Sequence, residues 1–120
     1  MRITTKTTNY TLTPEIGLLI EDKLGSLGRF LPQHKETALM ALEVAYTTDG
    51  KKMGKPYRAE VNLDVNGTLY RAEASADTME SAVEAVRNEL RKELGRSRGR
   101  ARELFRRGGS AVKSFLRFSR

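Results

Sequence analysis

Residues 57–80 read YRAEVNLDVNGTLYRAEASADTME. Tyr57, Ala59, Val61, Leu63 and Val65 alternate with Arg58, Glu60, Asn62 and Asp64, the period of a strand with one buried face. Asn66-Gly67 follows, and both residue types accept the positive φ that a two-residue hairpin turn demands. The chain returns as a partner strand from Leu69 through Ala76. Asp77-Thr78-Met79-Glu80 then has the acid-x-x-Glu spacing of a capping box, with Asp77 expected to bond the Glu80 amide and Glu80 to reach back. This predicts a helix directly after the hairpin. Its apolar face would be Met79, Ala82, Val83, Val86, Leu90 and Leu94, with Gly95 closing it.

Upstream, Thr37 to Thr47 places Met40, Leu42, Val44 and Tyr46 in alternation with Leu39, Ala41, Glu43 and Ala45, a third strand pattern. Tyr46 and Tyr57 are expected in the core. Residues 48–55 read as a basic, glycine-containing loop. Further back, Thr13-Pro14-Glu15 supplies a capping hydroxyl, the fixed φ of a first helical residue and an acid for the positive helix end. Ile16, Leu19, Ile20, Leu24, Leu27 and Leu31 then recur at three- and four-residue steps, interrupted by Lys23, whose stem can lie along an apolar surface. Pro32 is expected to end this helix. The Thr-rich alternation over 2–8 suits a half-buried first strand. The order is β-α-β-β-β-α. The predicted class is α+β, a mostly antiparallel four-stranded sheet with both helices on one face, because each helix has one apolar stripe and each hairpin strand one apolar face.

Charge divides the chain differently. Of 22 Lys and Arg and 15 Asp and Glu, nine bases and one acid lie from Gly95 onward, a local charge of +8. The preceding residues carry −1. The organisation expected is a domain over 1–95 and an Arg-rich basic tail over 96–120 that is flexible in isolation, since few apolar residues up to Gly109 can offset the entropy of ordering it. An excess of cations confined to one end points to nucleic acid or an anionic surface rather than to a small acidic substrate. Ala111, Val112, Phe115 and Leu116 form a short basic amphipathic pattern of the kind that lies on membranes, yet about ten residues bury little area, and a membrane partner is not expected.

Several chemistries are excluded. There is no Cys, hence no disulfide, thiolate metal site or cysteine nucleophile. His34 is the only histidine and reads as a solvated loop residue. No P-loop, Rossmann glycine fingerprint or HExxH motif is present, and the acids of both helices sit at charge-balancing spacings. The chain is not expected to be an enzyme, and no motif asks for a cofactor or metal. With no signal-like or membrane-spanning apolar run, a cytoplasmic protein is expected.

The segment from Ala59 to Val86, together with EDKLGSLGRF from Glu21 to Phe30, resembles the ribosome hibernation promoting factor family, also called the ribosome-associated inhibitor A or sigma-54 modulation family. Lys23-Leu24, Leu27 and Arg29-Phe30 match its first-helix phrase; Ala59-Glu60-Val61, Leu63, Gly67, Leu69, Ala72-Glu73-Ala74, Met79, Ala82-Val83, Leu90 and Leu94 match the remainder, over about residues 2 to 98. The resemblance implies a double-stranded-RNA-binding-domain-like fold. It also implies a hibernation factor, active in stress, that silences translation by occupying the messenger and transfer RNA channel of the small ribosomal subunit, held by contacts to ribosomal RNA.

Carried over by position, Lys23 and Arg29 fall on basic positions of the first helix, and Lys92, Arg96 and Arg98 on the basic end of the second. Arg87 and Arg91 on that helix, and Arg100, Arg102, Arg106 and Arg107 in the tail, complete the predicted RNA-binding set. The chain departs from the family where a usual Lys of the second helix is Glu89. The tail is also too short for the C-terminal domain by which long members pair ribosomes. A general RNA- or DNA-binding module, or nucleic-acid chaperone using the basic tail, is the competing reading. A homodimer through the sheet edge or the tail is compatible with either.

Overall fold

The computed structural model describes residues 1–31 and 36–107. Its elements are β1 (Arg2–Thr8), α1 (Pro14–Gly25), a 3-10 turn (Ser26–Phe30), β2 (Leu39–Tyr46), a short α2 (Thr48–Lys52), β3 (Tyr57–Val65), β4 (Thr68–Ala76) and α3 (Met79–Arg107). Strand order in the sheet is β1-β2-β3-β4. The β1-β2 pair is parallel, as a helical crossover permits, and the other two pairs are antiparallel. The predicted α+β class and element order therefore hold.

Register explains where the core lies. Ile3, Met40, Leu63 and Tyr70 stand in one cross-strand row, and Thr5, Leu42, Val61 and Ala72 in another. Met40, Leu42, Val44, Ala59, Val61, Leu63 and Val65 are buried on that face. Against them lie Ile16, Ile20, Leu24 and Leu27 of the first helical segment and Met79, Ala82, Val83, Val86, Leu90 and Leu94 of α3, all in one cluster. Both helices thus cover the same face, and they do so with the predicted apolar stripes. The turn between β3 and β4 has Asn66 at φ 52 and Gly67 at φ 91, the left-handed pair read from Asn-Gly, and Asp64 accepts from the Gly67 amide at 2.9 Å. Tyr57 packs on the end of the core with Tyr46 edge-on to it at 5.3 Å and Tyr10 at 6.2 Å.

Four local expectations are corrected. The first helix passes into 3-10 geometry at Ser26 instead of continuing as α-helix to Leu31. Gly25 and Gly28 lower helix propensity there, and the Ser26 hydroxyl donates to the Lys23 carbonyl at 2.8 Å, capping the last α turn. At the start of α3 the capping oxygen belongs to Thr78, which accepts from the Ser81 amide at 3.1 Å, rather than to Asp77. β4 runs through Ala76, so Met79 is the first residue that can turn inward and the cap falls immediately before it. The third correction is at Gly95, where α3 does not stop but continues to Arg107. A Cβ at Gly95 would meet nothing within 4 Å, so no close approach or left-handed backbone requires glycine as a terminator there. The fourth concerns residues 48–52, read as loop, which form one helical turn. Pro32, His34 and the amphipathic stretch 111–116 lie outside the described residues.

Two stability measurements test the helix reading. The Thr13 hydroxyl accepts from the Ile16 amide at 3.2 Å. Thr13→Ala is expected to cost about 1 kcal/mol in urea denaturation, the usual loss of an N-cap. Gly17 sits inside α1 where an added Cβ would meet nothing within 4 Å. Gly17→Ala is expected to raise stability by up to about 1 kcal/mol, because alanine restricts the unfolded chain and favours the helix.

Candidate nucleic-acid interface

One sheet face is uncovered, and of its cations Lys6, Arg58 and Arg71 have partners within it, whereas Arg2 on the edge strand has none among the described residues. Arg58 lies 2.8 Å from Glu60 and also bonds Glu73; Lys6 is 3.9 Å from Glu43; Arg71 donates to Asn62 at 2.9 Å. The Arg58 guanidinium is held above its ordinary value, first by the hydrogen bond to Glu73, with burial opposing and Glu60 adding. Asn62 leaves the charge of Arg71 in place, but Arg2, Lys6, Arg58 and Arg71 share the face with Glu43, Glu60, Asp64 and Glu73, and a face without net positive charge is a poor polyanion surface.

The helical layer is different. Lys23 reaches from α1 to Glu84 of α3 at 3.7 Å and ties the two helices together. Beyond it, Arg29 lies in the 3-10 turn, next to its last residue, and Arg91 projects from α3, and both are exposed. Their guanidinium carbons stand 5.4 and 5.5 Å from the centre of one ring, that of Phe30. Among the described residues neither has a carboxylate partner within ion-pair distance. Arg87, one turn before Arg91, is half-buried, and its Nε is buried without a hydrogen-bond partner among the described residues. Glu89 pairs with Lys92 at 3.3 Å, and Glu93 pairs with Arg96.

The structure thus divides the predicted set. Lys23, Lys92 and Arg96 are neutralised locally, whereas Arg29, Arg87 and Arg91 have no acid paired with them among the described residues. Arg98, Arg100, Arg102, Arg106 and Arg107 continue along the backbone of α3, which at about 1.5 Å per residue carries residues 95–107 roughly 20 Å past Leu94. Lys51 and Lys52 lie at the opposite end of the sheet, beside Tyr46 and Tyr57, and are not part of this cluster. Sequence reasoning passed over Phe30 as a site residue. Its only linear signal is the adjacency to Arg29, since Arg91 meets it only through packing.

A concavity of about 260 Å³ is lined by Tyr10, Tyr57, Asp77, Thr78, Met79 and Glu80. Burial, then the Glu80 carboxylate and Tyr57, raise the Tyr10 hydroxyl above its ordinary value. Its acids make it unsuited to phosphate. No group of three or more His, Cys, Asp or Glu among the described residues could hold a metal, and none of the described helices is long and apolar enough to cross a membrane.

Comparison with known proteins bears on the family and the fold. Residues 3–102 match the family model described as sigma 54 modulation protein / S30EA ribosomal protein. The crystal structure of the Thermus thermophilus Protein Y N-terminal domain superposes with a TM-score of 0.65 at 24% identity, covering 80% of this chain and 98% of that one. A ribosomal subunit interface protein from Coxiella burnetii superposes with a TM-score of 0.66 at 19% identity, covering 82% and 99% respectively. At these identities the two structures establish a shared fold. No curated protein matches the chain significantly.

Proposed function

Because the chain belongs to the sigma 54 modulation protein / S30EA ribosomal protein family, we propose that it is a ribosome-binding translation inhibitor, a hibernation factor that occupies the messenger and transfer RNA channel of the small ribosomal subunit in the cytoplasm. The observation that carries the reading is the location of the unpaired cations. Arg29, Arg87 and Arg91 belong to the helical layer and lead into the Arg-rich length of α3, while Arg2, Lys6, Arg58 and Arg71 on the opposite face stand among the acids Glu43, Glu60, Asp64 and Glu73. Phosphates of ribosomal RNA would be bound with strong salt dependence and little base preference. Inhibition then needs no bond to be made or broken. A body that fills the channel excludes the RNAs that use it, and an enzymatic step has no place in the mechanism.

Co-sedimentation of the full chain with purified small subunits across a salt series tests this, with transfer RNA as competitor. Binding at ~150 mM salt that transfer RNA displaces is expected, with a log-log salt slope reflecting several phosphate contacts. Equal affinity for an unrelated RNA or DNA duplex at the same salt would instead support the general nucleic-acid module. That alternative draws on the continuation of α3 through the Arg-rich sequence that holds Arg98, Arg100 and Arg102, since charge by itself attracts any nucleic acid.

A further inference from the structure

We propose that Phe30 is a positioning residue of the RNA-binding face, its ring holding the guanidiniums of Arg29 and Arg91 as one paired phosphate site; the inference rests on the RNA-binding reading above. The two arginines come from separate elements, the 3-10 turn and α3, and meet over a ring that is itself half-buried against the core. Leu27 and Leu31, on either side of Phe30 in the chain, are 1% and 7% exposed, so the backbone carrying the ring is anchored.

An aromatic ring can orient a cation without neutralising it. A carboxylate partner cancels the charge and competes with phosphate for the same N–H donors, as Glu89 does at Lys92 and Glu93 at Arg96. The quadrupole of a phenyl ring attracts the guanidinium face and leaves full charge and in-plane donors available to a phosphate. Arg29 and Arg91 are therefore ordered before RNA arrives while their charge stays uncompensated, which lowers the entropy lost on binding. Two guanidiniums beside one ring also repel each other, and a phosphate placed between or across them relieves that repulsion.

The test uses the full chain, purified small subunits as the probe, and Phe30→Leu, Phe30→Trp, Arg29→Ala, Arg91→Ala and the Arg29→Ala/Arg91→Ala pair. Phe30→Leu keeps apolar packing and removes the ring. It is expected to weaken binding by about five- to thirtyfold, the scale of two exposed cation–π interactions, with the salt slope unchanged because every phosphate-binding cation is kept. Each arginine substitution is expected to lower the slope by about one. Phe30→Trp, which retains a π face, is expected to bind as the parent does, and it carries the test should Phe30→Leu fold poorly. Adding Phe30→Leu to the arginine pair is expected to cause no further loss, a non-additivity that a purely structural role would not produce. Relaxation of the arginine Nε–H groups should show Arg29 and Arg91 becoming more mobile in Phe30→Leu.

Parent-like binding by Phe30→Leu while both arginine variants are weakened overturns the positioning role alone. So does equal weakening by Leu and Trp, which would indicate packing. Parent-like binding by both arginine variants overturns the RNA-face reading itself.

Discussion

Replacing Arg29, Arg87 and Arg91 together by Gln is expected to weaken binding to small ribosomal subunits by roughly a hundredfold near 100 mM salt, taking about 1 kcal/mol for each cation–phosphate interaction removed. The salt slope should fall by about three. The matched control is Lys6→Gln, Arg58→Gln and Arg71→Gln, which removes the same charge from the open sheet face. That control should change affinity little, because those cations are held by Glu43, Glu60, Glu73 and Asn62. If both triples weaken binding equally, net charge rather than the helical face governs association. Equilibrium binding across a salt series reads slope and affinity together. A triple that binds as the parent does would remove the basis for assigning this face.

Leu90→Ala addresses the scaffold. Leu90 is 0% exposed within the cluster shared by α1, α3 and the sheet. Truncation there removes transfer energy and leaves a cavity between rigid elements, an expected loss of roughly 2–5 kcal/mol, with about 3 as a central value. For a domain of this size that corresponds to a fall in melting temperature of roughly 12–24 °C. Calorimetry or thermal circular dichroism measures it. A drop under ~4 °C would mean that α3 is not packed as described. The two predictions separate cleanly, since Leu90 faces inward and Arg91, the next residue, faces solvent: Leu90→Ala should act on stability, the arginines on binding.

Much of the fold was legible along the chain because it depends on short-range periodicities. Alternation over 57–65, Asn66-Gly67 and the three- and four-residue steps after Pro14 and after Thr78 each correspond to one element whose apolar face must be covered. Local competition was harder to read. Asp77 and Thr78 are both good caps, and only the length of β4 and the need for Met79 to point inward choose between them. Gly95 resembles a helix terminator, yet nothing in its surroundings requires a left-handed residue, and α3 runs on.

Within the candidate site, the sequence by itself determined the amount and polarity of the charge: a near-neutral domain, an Arg-rich end, and basic side chains on the solvent side of two amphipathic helices. It determined the fold class as well, since a hairpin preceded by a strand–helix–strand unit leaves few arrangements in which every apolar stripe is covered. What only the tertiary structure decided is which cations are available. Lys23, Lys92 and Arg96 meet carboxylates, while Arg29 and Arg91, 62 positions apart, converge on Phe30. Charge is a property of a residue and can be counted along the chain. Whether that charge is cancelled depends on distances of a few ångströms between side chains from different elements, and those distances exist only once α1 and α3 lie side by side on the sheet.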